Sequence, residues 1–371
     1  MKFTANRDSL AEKLQTILSV VSTRTTLPIL GNVLIKGEGE KVELAATDLD
    51  LSVTCGLAAK VGKGGVTTVP ARTFAEMVRE LPEEDVSVSV TNNRVEIRSG
   101  RGVYRISGMP ADEFPKLPTL PTVGEVLMPG EQLQMMVRKT SYAVSIDDTR
   151  PALNGILWQT NGERMFMVAT DGHRLARVTV PENRLAGHQG SLIIPPKALA
   201  LIIKILGESD GDVGVTFGEK NILFRVGDTV LTTRLIEGPY PNYEQVIPSG
   251  NDKRMVIDAA TLMAGVRRVA VLSNSLTRQV KFALSKDRLE LSTTNQDIGG
   301  EATETLQCRY DGAELEIGYN ANYVMDILKN MESGDVVFEL ATSVSAGLIR
   351  PAEESKKNEY LCLIMPLRLA E

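Results

Sequence analysis

The chain has 371 residues, with 41 lysines and arginines against 47 aspartates and glutamates and a formal net charge of −6. That length gives two or three domains, each able to bury its own core, while the acidic balance excludes a general nucleic-acid coat protein but leaves room for a basic lining inside an acidic shell. A 43% hydrophobic fraction and no apolar run near the ~18 residues of a membrane helix exclude a helical membrane protein.

Met1-Lys2-Phe3-Thr4 opens the chain without the apolar core of a signal peptide. Cys55, Cys308 and Cys362 are odd in number, far apart and without metal-ligand spacing, which fits reduced, buried thiols in a cytoplasmic protein.

A first helix is expected from about Asp8 to Ser22, with Leu10, Leu14, Ile17, Leu18 and Val21 on one face and Asp8 or Ser9 as its cap. Strand-like segments follow at 33–36 and 42–46, then a turn, Thr47-Asp48-Leu49-Asp50-Leu51. The same order recurs. A helix carrying Leu133, Met136, Val137, Thr140 and Val144 precedes strands at 156–159 and 165–169 and the turn Thr170-Asp171-Gly172-His173-Arg174. A third, with Leu262, Val266 and Val269, precedes strands at 280–284 and 289–293 and the turn Thr294-Asn295-Gln296-Asp297. Asp48, Asp171 and Asn295 are 123 and 124 positions apart, so the chain reads as three copies of one module.

A second helix fixes the register. Phe74, Met77, Val78 and Leu81 become Leu199, Ile202, Ile203 and Leu206 on adding 125, and Val324, Ile327, Leu328 and Met331 on adding 250. All are apolar. The same shifts carry Arg79 to Lys204 and Lys329, and Arg72 to Lys197, although the third partner of Arg72 is Asn322. At 100° per residue, Arg72 and Arg79 lie within about 20° of each other, roughly opposite the apolar stripe. Each copy therefore offers a helix buried on one side and basic on the other. First helices add Arg138-Lys139 and Arg267-Arg268, and Arg24 follows the first of them.

Every copy continues into alternating strands at 86–90, 213–217 and 336–340, and two close with Phe114-Pro115 and Tyr240-Pro241. Proline-bearing joints at 118–122 and 248–251 divide the chain into expected domains 1–121, 122–250 and 251–371. The expected fold class is α+β, with three repeated domains, each of two helices packed on antiparallel sheet.

These residues resemble the bacterial β sliding clamps, the processivity subunits of DNA polymerase III. The resemblance runs from Met1 to Leu369, and rests on Met1-Lys2-Phe3, Leu27-Pro28-Ile29-Leu30-Gly31-Asn32, Leu153-Asn154-Gly155, Thr170-Asp171-Gly172-His173-Arg174-Leu175 and Met365-Pro366-Leu367-Arg368-Leu369, in order and on a triple repeat. It implies a closed ring of two chains joined head to tail, helices lining the hole, duplex DNA held without regard to sequence, and no catalysis and no cofactor.

A sliding device needs weak, base-blind attraction to phosphates. The residues that suit it are Arg24, Arg72, Arg79, Arg138, Lys139, Arg150, Lys197, Lys204, Arg267, Arg268 and Lys329. The resemblance also implies a cleft where polymerase, clamp loader and repair proteins dock a short peptide, usually a glutamine followed by aliphatic and aromatic residues. By position its wall is Leu153, Thr170, Gly172, His173, Arg174, Leu175, Pro241, Val246, Ala346, Leu363, Met365, Pro366, Leu367 and Arg368. Gln245 and Ala346 stand where relatives often carry arginine and serine, and Ala370-Glu371 extend past the usual terminal leucine. For the head-to-tail contact the candidates are Arg98, Arg101 and Arg105 facing Asp297, Glu301 and Glu304, with Val271 and Leu272 as apolar anchors.

Two rival readings compete. A metal-dependent hydrolase around Asp171 and His173 finds no His-x-x-x-His spacing, no Gly-x-Ser-x-Gly and no phosphate loop. A scaffold that binds only protein leaves the repeated basic face without a purpose.

Overall fold

The computed structural model describes residues 1–22, 26–82, 84–118, 124–181, 190–207, 211–332, 334–353, 355, 357–369. Arg24, His188, Ala370 and Glu371 lie outside the described residues, as do the expected boundary at 121–122 and most of the joint at 118–122.

Six α-helices are described: α1 (Arg7–Leu18), α2 (Ala71–Arg79), α3 (Gly130–Thr140), α4 (Pro196–Leu206), α5 (Ala259–Ala270) and α6 (Ala321–Lys329). The first starts one residue before its expected range and stops at Leu18. Its cap is Asn6, whose side chain accepts the Ser9 backbone N–H at 3.0 Å, not Asp8 or Ser9. Asn6 is the last residue of a strand, so it has the extended backbone an N-cap needs, whereas Asp8 is already helical. In the same way Asp258 caps α5 and Asn320 caps α6. Apolar stripes are buried as the repeat requires, with Phe74, Leu199 and Val324 fully covered.

The strands of the described residues form four antiparallel sheets. Two have eight strands and join halves of neighbouring copies. In one, the order is Val126–Pro129, Asp212–Phe217, Asn221–Val226, Thr229–Arg234, Leu51–Ala58, Lys41–Thr47, Asn32–Glu38, Gly65–Pro70. The seam between copies is the pairing of Leu231 with Val53 and its neighbours. In the other, Gly190–Ile194, Ile156–Asn161, Arg164–Thr170 and Arg174–Val180 meet Glu359–Ile364, Gly347–Pro351, Asp335–Leu340 and Lys253–Asp258. That seam pairs Ala176 with Cys362.

The remaining two sheets come from the two ends of the chain. Lys60–Lys63, Lys2–Asn6, Asp85–Thr91, Arg94–Ser99 and Gly102–Ser107 make one, and Gly300–Gln307, Arg288–Asn295, Gln279–Ser285 and Leu315–Asn320 make the other. Their edge strands Gly102–Ser107 and Gly300–Gln307 have a neighbour on one side only among the described residues.

Because each large sheet crosses a repeat junction, the compact units do not follow the repeats. One unit holds residues 1–133 and 197–235, the other 134–196 and 236–371. Within the first, α1 packs on α2, and within the second, α5 packs on α6. No helix among the described residues is long and apolar enough to cross a membrane.

Candidate nucleic-acid and partner interfaces

The repeated turn is built the same way twice. Asp48 Oδ1 accepts from the backbone N–H groups of Asp50 and Leu51, at 3.2 and 2.8 Å. Asp171 Oδ1 accepts from those of His173 and Arg174, at 2.9 and 3.0 Å. Before each aspartate a threonine hydroxyl donates across the turn, Thr47 to the Leu51 carbonyl and Thr170 to that of Arg174. Leu49 and Gly172 occupy the same left-handed backbone, with φ of 87° and 90°. In the third copy Asn295 accepts from the Asp297 N–H at 3.1 Å. The aspartate is thus a turn-builder. Asp171 Oδ1 is held by two N–H groups and Oδ2 by Arg174, so both oxygens of its carboxylate serve the turn.

On the helices, Arg72, Arg79, Lys197 and Lys204 of the first unit are exposed, as are Arg138, Arg267, Arg268 and Lys329 of the second. Arg72 and Lys204 both reach the chain just after α1, one to the Val21 carbonyl at 3.5 Å and the other to the Ser19 hydroxyl at 3.4 Å. Lys197 pairs with Asp48. Arg268 pairs with Glu304, so a residue expected at DNA and one expected at the subunit contact meet each other inside one chain. This contact holds the Glu304 carboxyl below the usual range.

Lys139 does not belong with the exposed cations. It is 5% exposed, and its ammonium donates to Glu332 at 2.9 Å and Asn358 at 3.1 Å and lies over the Tyr360 ring. One position along the helix from Arg138 is a turn of about 100°, enough to carry it from the open face to the packed one. Arg150 sits elsewhere again. It pairs with Asp147 at 3.0 Å, and its guanidinium packs on Gly172, where an added Cβ would meet Nη1 at 2.9 Å.

The second unit gathers most of the expected cleft. Leu175 and Leu363 are cross-strand partners and share a cluster with Leu157, Phe166, Val168, Ile193, Tyr243, Leu348 and Leu361. Ala346, Tyr240 and Ile247 pack on its margin. Leu153 is buried, while Gly172, His173, Pro241, Val246 and Met365 are exposed and Pro366 is half-buried. The Met365 N–H donates to the His173 carbonyl at 2.8 Å, which ties the chain's last segment to the Asp171 turn. Two members stand apart. Leu367 bridges to Gly318, and the Arg368 carbonyl accepts from Gln279 at 3.0 Å, so both follow the Leu315–Asn320 strand away from the apolar cluster.

Arg174 is the most connected side chain of the site. It donates through Nε to Asp171 at 3.1 Å, through Nη1 to Asp326 at 2.5 Å and through Nη2 to the Tyr142 carbonyl at 2.6 Å. Its guanidinium lies 4.4 Å from the Tyr323 ring centre, and His173 stacks on the same ring at 6.4 Å. Behind it runs a buried polar chain. Tyr360 donates to the Lys139 carbonyl at 2.9 Å, which leaves Tyr142 to donate to Tyr360 and the Cys362 thiol to face Tyr142 at 3.1 Å. Burial raises both tyrosines well above the usual phenol range and the Cys362 thiol to about 11.

Tyr323, Asp326 and Tyr142 were not among the expected site residues. A signal existed for the first, since the repeat places Thr73 and Ala198 at its position and only the third copy puts an aromatic there.

At the expected subunit contact, Arg98 and Arg105 both bind Glu96, at 2.7 and 2.9 Å, and hold its carboxyl below the usual range. Arg101 and Glu301 are exposed, and Asp297 accepts from Asn274 at 3.2 Å. Val271 is 72% exposed, and Leu276 and Ile298, 89% and 63% exposed, are further apolar side chains open to solvent in the same copy. Leu272 packs against Gly300.

Three α+β copies sharing two continuous sheets, with basic helix faces and equivalent edge strands left at the two ends of the repeat, define the clamp class of DNA-replication proteins. The chain belongs to the DNA polymerase III beta subunit family, the sliding clamps. Sequence-family models for the N-terminal, central and C-terminal domains of that subunit match residues 1–118, 127–242 and 244–368. It is 35% identical over 372 residues to the beta sliding clamp of Escherichia coli (strain K12) and 33% identical over 371 residues to that of Pseudomonas aeruginosa, with all of each chain covered. Among solved structures, the sliding clamp of Bartonella birtlesii bound to griselimycin matches with a TM-score of 0.94 at 35% identity, and that of Bacillus subtilis with 0.95 at 28%, again over all of each chain. Its function is that of a DNA sliding clamp.

Proposed function

We propose that two copies of this chain close head to tail around duplex DNA and hold the replicative polymerase to it. One observation carries this reading. Leu51–Ala58 and Arg174–Val180 follow equivalent turns, and each pairs with the last strand of a neighbouring copy's sheet, Thr229–Arg234 and Glu359–Ile364. The third equivalents, Gly300–Gln307 and Gly102–Ser107, are edge strands of their sheets among the described residues. Repeating the seam once more joins the end of one chain to the start of another, and the same step made twice closes a dimer. Such a contact is heterologous, with different surfaces meeting. Arg98, Arg101, Arg105 and Glu96 line one edge and Val271, Leu272, Leu276, Ile298, Asp297, Glu301 and Glu304 the other.

Arg72, Arg79, Arg138, Lys197, Lys204, Arg267, Arg268 and Lys329 attract the phosphate backbone through long side chains from helices, with no planar pairing to bases that would stall sliding. Leu153, Thr170, Gly172, His173, Arg174, Leu175, Pro241, Val246, Ala346, Leu363, Met365 and Pro366, with Tyr323, form the docking cleft for polymerase, clamp loader and repair proteins. Arg150 works at its rim. The methionine and leucine lining adapts to several related anchors. The protein acts without a cofactor, as a non-catalytic cytoplasmic subunit.

The test is topological. Once loaded by a clamp loader, the protein is expected to stay on nicked circular DNA in high salt and to leave when the circle is cut. Contact through charge alone loses roughly 0.9 log units of affinity per phosphate for each tenfold rise in salt, on circles and linear DNA alike. Equal loss from both forms would refute encirclement. Griselimycin, bound in the relatives from Bartonella birtlesii and Pseudomonas aeruginosa, serves as a probe of the cleft, since it should displace a labelled polymerase peptide from this chain.

A further inference from the structure

At three positions the repeat uses apolar side chains in one seam and polar ones in the next. Leu51, at the first turn, and Ala198 and Leu201, on α4, are all buried. Adding 123 to the first and 125 to the other two gives Arg174, Tyr323 and Asp326. Apolar residues therefore suffice at these positions for the fold. A guanidinium and a carboxylate taken out of water in their place are often no more stabilising than the apolar version. Departures of this kind gather at functional sites.

The polar version has capacity to spare. A guanidinium carries five N–H donors. Arg174 gives Nε to Asp171, Nη1 to Asp326 and Nη2 to the Tyr142 carbonyl, so each Nη keeps a second N–H without an acceptor among the described residues. The rings of Tyr323 and Tyr142, centred 4.4 and 5.4 Å from the guanidinium carbon, hold it in place. Asp326 gives Oδ2 to Arg174, and its Oδ1 meets no donor among the described residues. Its side chain is 44% exposed, against 11% for Arg174. Spare donors and a spare acceptor thus stand side by side. The neighbouring polar groups are engaged, since both Asp171 oxygens serve the turn, Arg150 is held by Asp147 and His173 is stacked on Tyr323.

A donor beside an acceptor is the complement of a primary amide, which accepts through its carbonyl and donates through its NH2. A carboxylate only accepts, so it would satisfy Arg174 but set two like charges together at Asp326. The pair stands at the cleft. Arg174 is opposite Ile364, next to Leu175 opposite Leu363 in the apolar cluster, and the Met365 N–H is bonded to the adjoining His173 carbonyl. We propose that Arg174 and Asp326 together read a carboxamide side chain of the partner, and that Asp326 is the residue that makes the cleft take glutamine and refuse glutamate. The proposal rests on the cleft reading above. The carboxamide oxygen accepts from a spare Arg174 N–H, and its NH2 donates to Asp326 Oδ1. Asp171 already balances the charge of Arg174, so Asp326 leaves the trio net negative and repels an incoming carboxylate.

The experiment uses the full-length protein and labelled peptides with a glutamine–leucine–phenylalanine anchor, its glutamate twin and the γ-methyl ester of that glutamate, read by fluorescence anisotropy at neutral pH. Glutamine should bind at least about tenfold tighter than glutamate, and also tighter than the uncharged ester, which accepts but cannot donate. In Asp326→Asn the new side chain has the same shape and can donate, so the glutamate peptide should gain, the glutamine peptide should lose, and their ratio should fall about tenfold or more. A merely structural role would weaken all three peptides by one factor, and that result overturns the proposal. Equal binding of the three to the parent chain overturns it as well, whether or not the variant folds. If the glutamine peptide fails to bind the parent at all, the cleft reading falls and takes this inference with it. Binding with a ratio that Asp326→Asn leaves unchanged removes the inference alone.

Discussion

Lys197, at the start of α4, donates its ammonium to Asp48, the aspartate of the first repeated turn. The pair joins copy one to copy two, and the repeat supplies its counterpart at the open end. Arg72 is the equivalent of Lys197, and Asn295 with Asp297 forms the third turn. In the proposed head-to-tail dimer the repeat sets Arg72 opposite Asn295, the equivalent of Asp48, and the carboxylate nearest to that position in the third turn is Asp297, so Arg72 is expected to pair with Asp297. Exposed pairs contribute about 0.2–1 kcal/mol, so Arg72→Gln should raise the dimer dissociation constant severalfold, and Arg72→Glu by more. Mixing Arg72→Glu chains with Asp297→Lys chains should restore association, as read by sedimentation.

Arg174 should be the costliest single loss in the cleft. Its side chain is 11% exposed, and truncation leaves the 14% exposed Asp171 carboxylate without its partner. Arg174→Ala is expected to lower unfolding stability by about 3 kcal/mol. Arg174→Lys should recover little, since one ammonium cannot serve Asp171, Asp326 and the Tyr142 carbonyl while lying flat on Tyr323. Urea unfolding of the two variants checks both statements.

Adjacent Arg138 and Lys139 should separate cleanly. Arg138→Met is expected to flatten the salt dependence of binding to a short duplex by about 0.9 in log–log slope if it meets one phosphate. Lys139→Met should leave that slope unchanged and lower the thermal midpoint instead, because Asn358 is 8% exposed and loses its donor. Anisotropy titrations at several salt concentrations separate the two outcomes.

Alkaline stability should depend on Cys362. Burial lifts its thiol from 9.0 to about 11. Between these values the unfolded chain gives up a proton that the folded chain keeps, so stability is full below pH 9, falls as pH rises, and flattens above 11 for this group. The slope is at most about 1.4 kcal/mol per pH unit for one site. Denaturant unfolding between pH 8 and 10 should show a shallower decline in Cys362→Ala than in the parent.

Leu49 in a left-handed turn carries a strain of roughly 1–2 kcal/mol that glycine avoids. Leu49→Gly should stabilise by about 0.5–1 kcal/mol once the flexibility of the unfolded glycine is subtracted. Gly172→Ala should do the reverse and push the Arg150 guanidinium off the turn. Thermal unfolding of each variant gives the sign.

Where one pattern served all three copies, it was legible from the sequence. The apolar stripe of Phe74, Leu199 and Val324 lies buried, and the turn of Asp48 returns at Asp171, because local hydrogen bonds and a one-sided core leave few alternatives. Where function broke the repeat, patterns gave less. Lys139 and Arg138 are equally basic and adjacent, and only the packing of Tyr360 and Glu332 separates them. Arg174 looked like a cleft residue, but its partners Asp326 and Tyr142 come from 152 and 32 positions away, and no periodicity links them. The sheets that cross the copy junctions were equally hidden, since a strand's pattern tells which face is buried and not which strand lies beside it.

All three native thiols are buried and held protonated, Cys55 and Cys308 as well as Cys362. A mild maleimide at neutral pH therefore has nothing to find on the folded chain until a cysteine is placed on its surface. Put at Val103 on one edge strand and at Glu301 on another, such a residue could carry a dye pair or a crosslinker that tests whether two chains meet there as proposed.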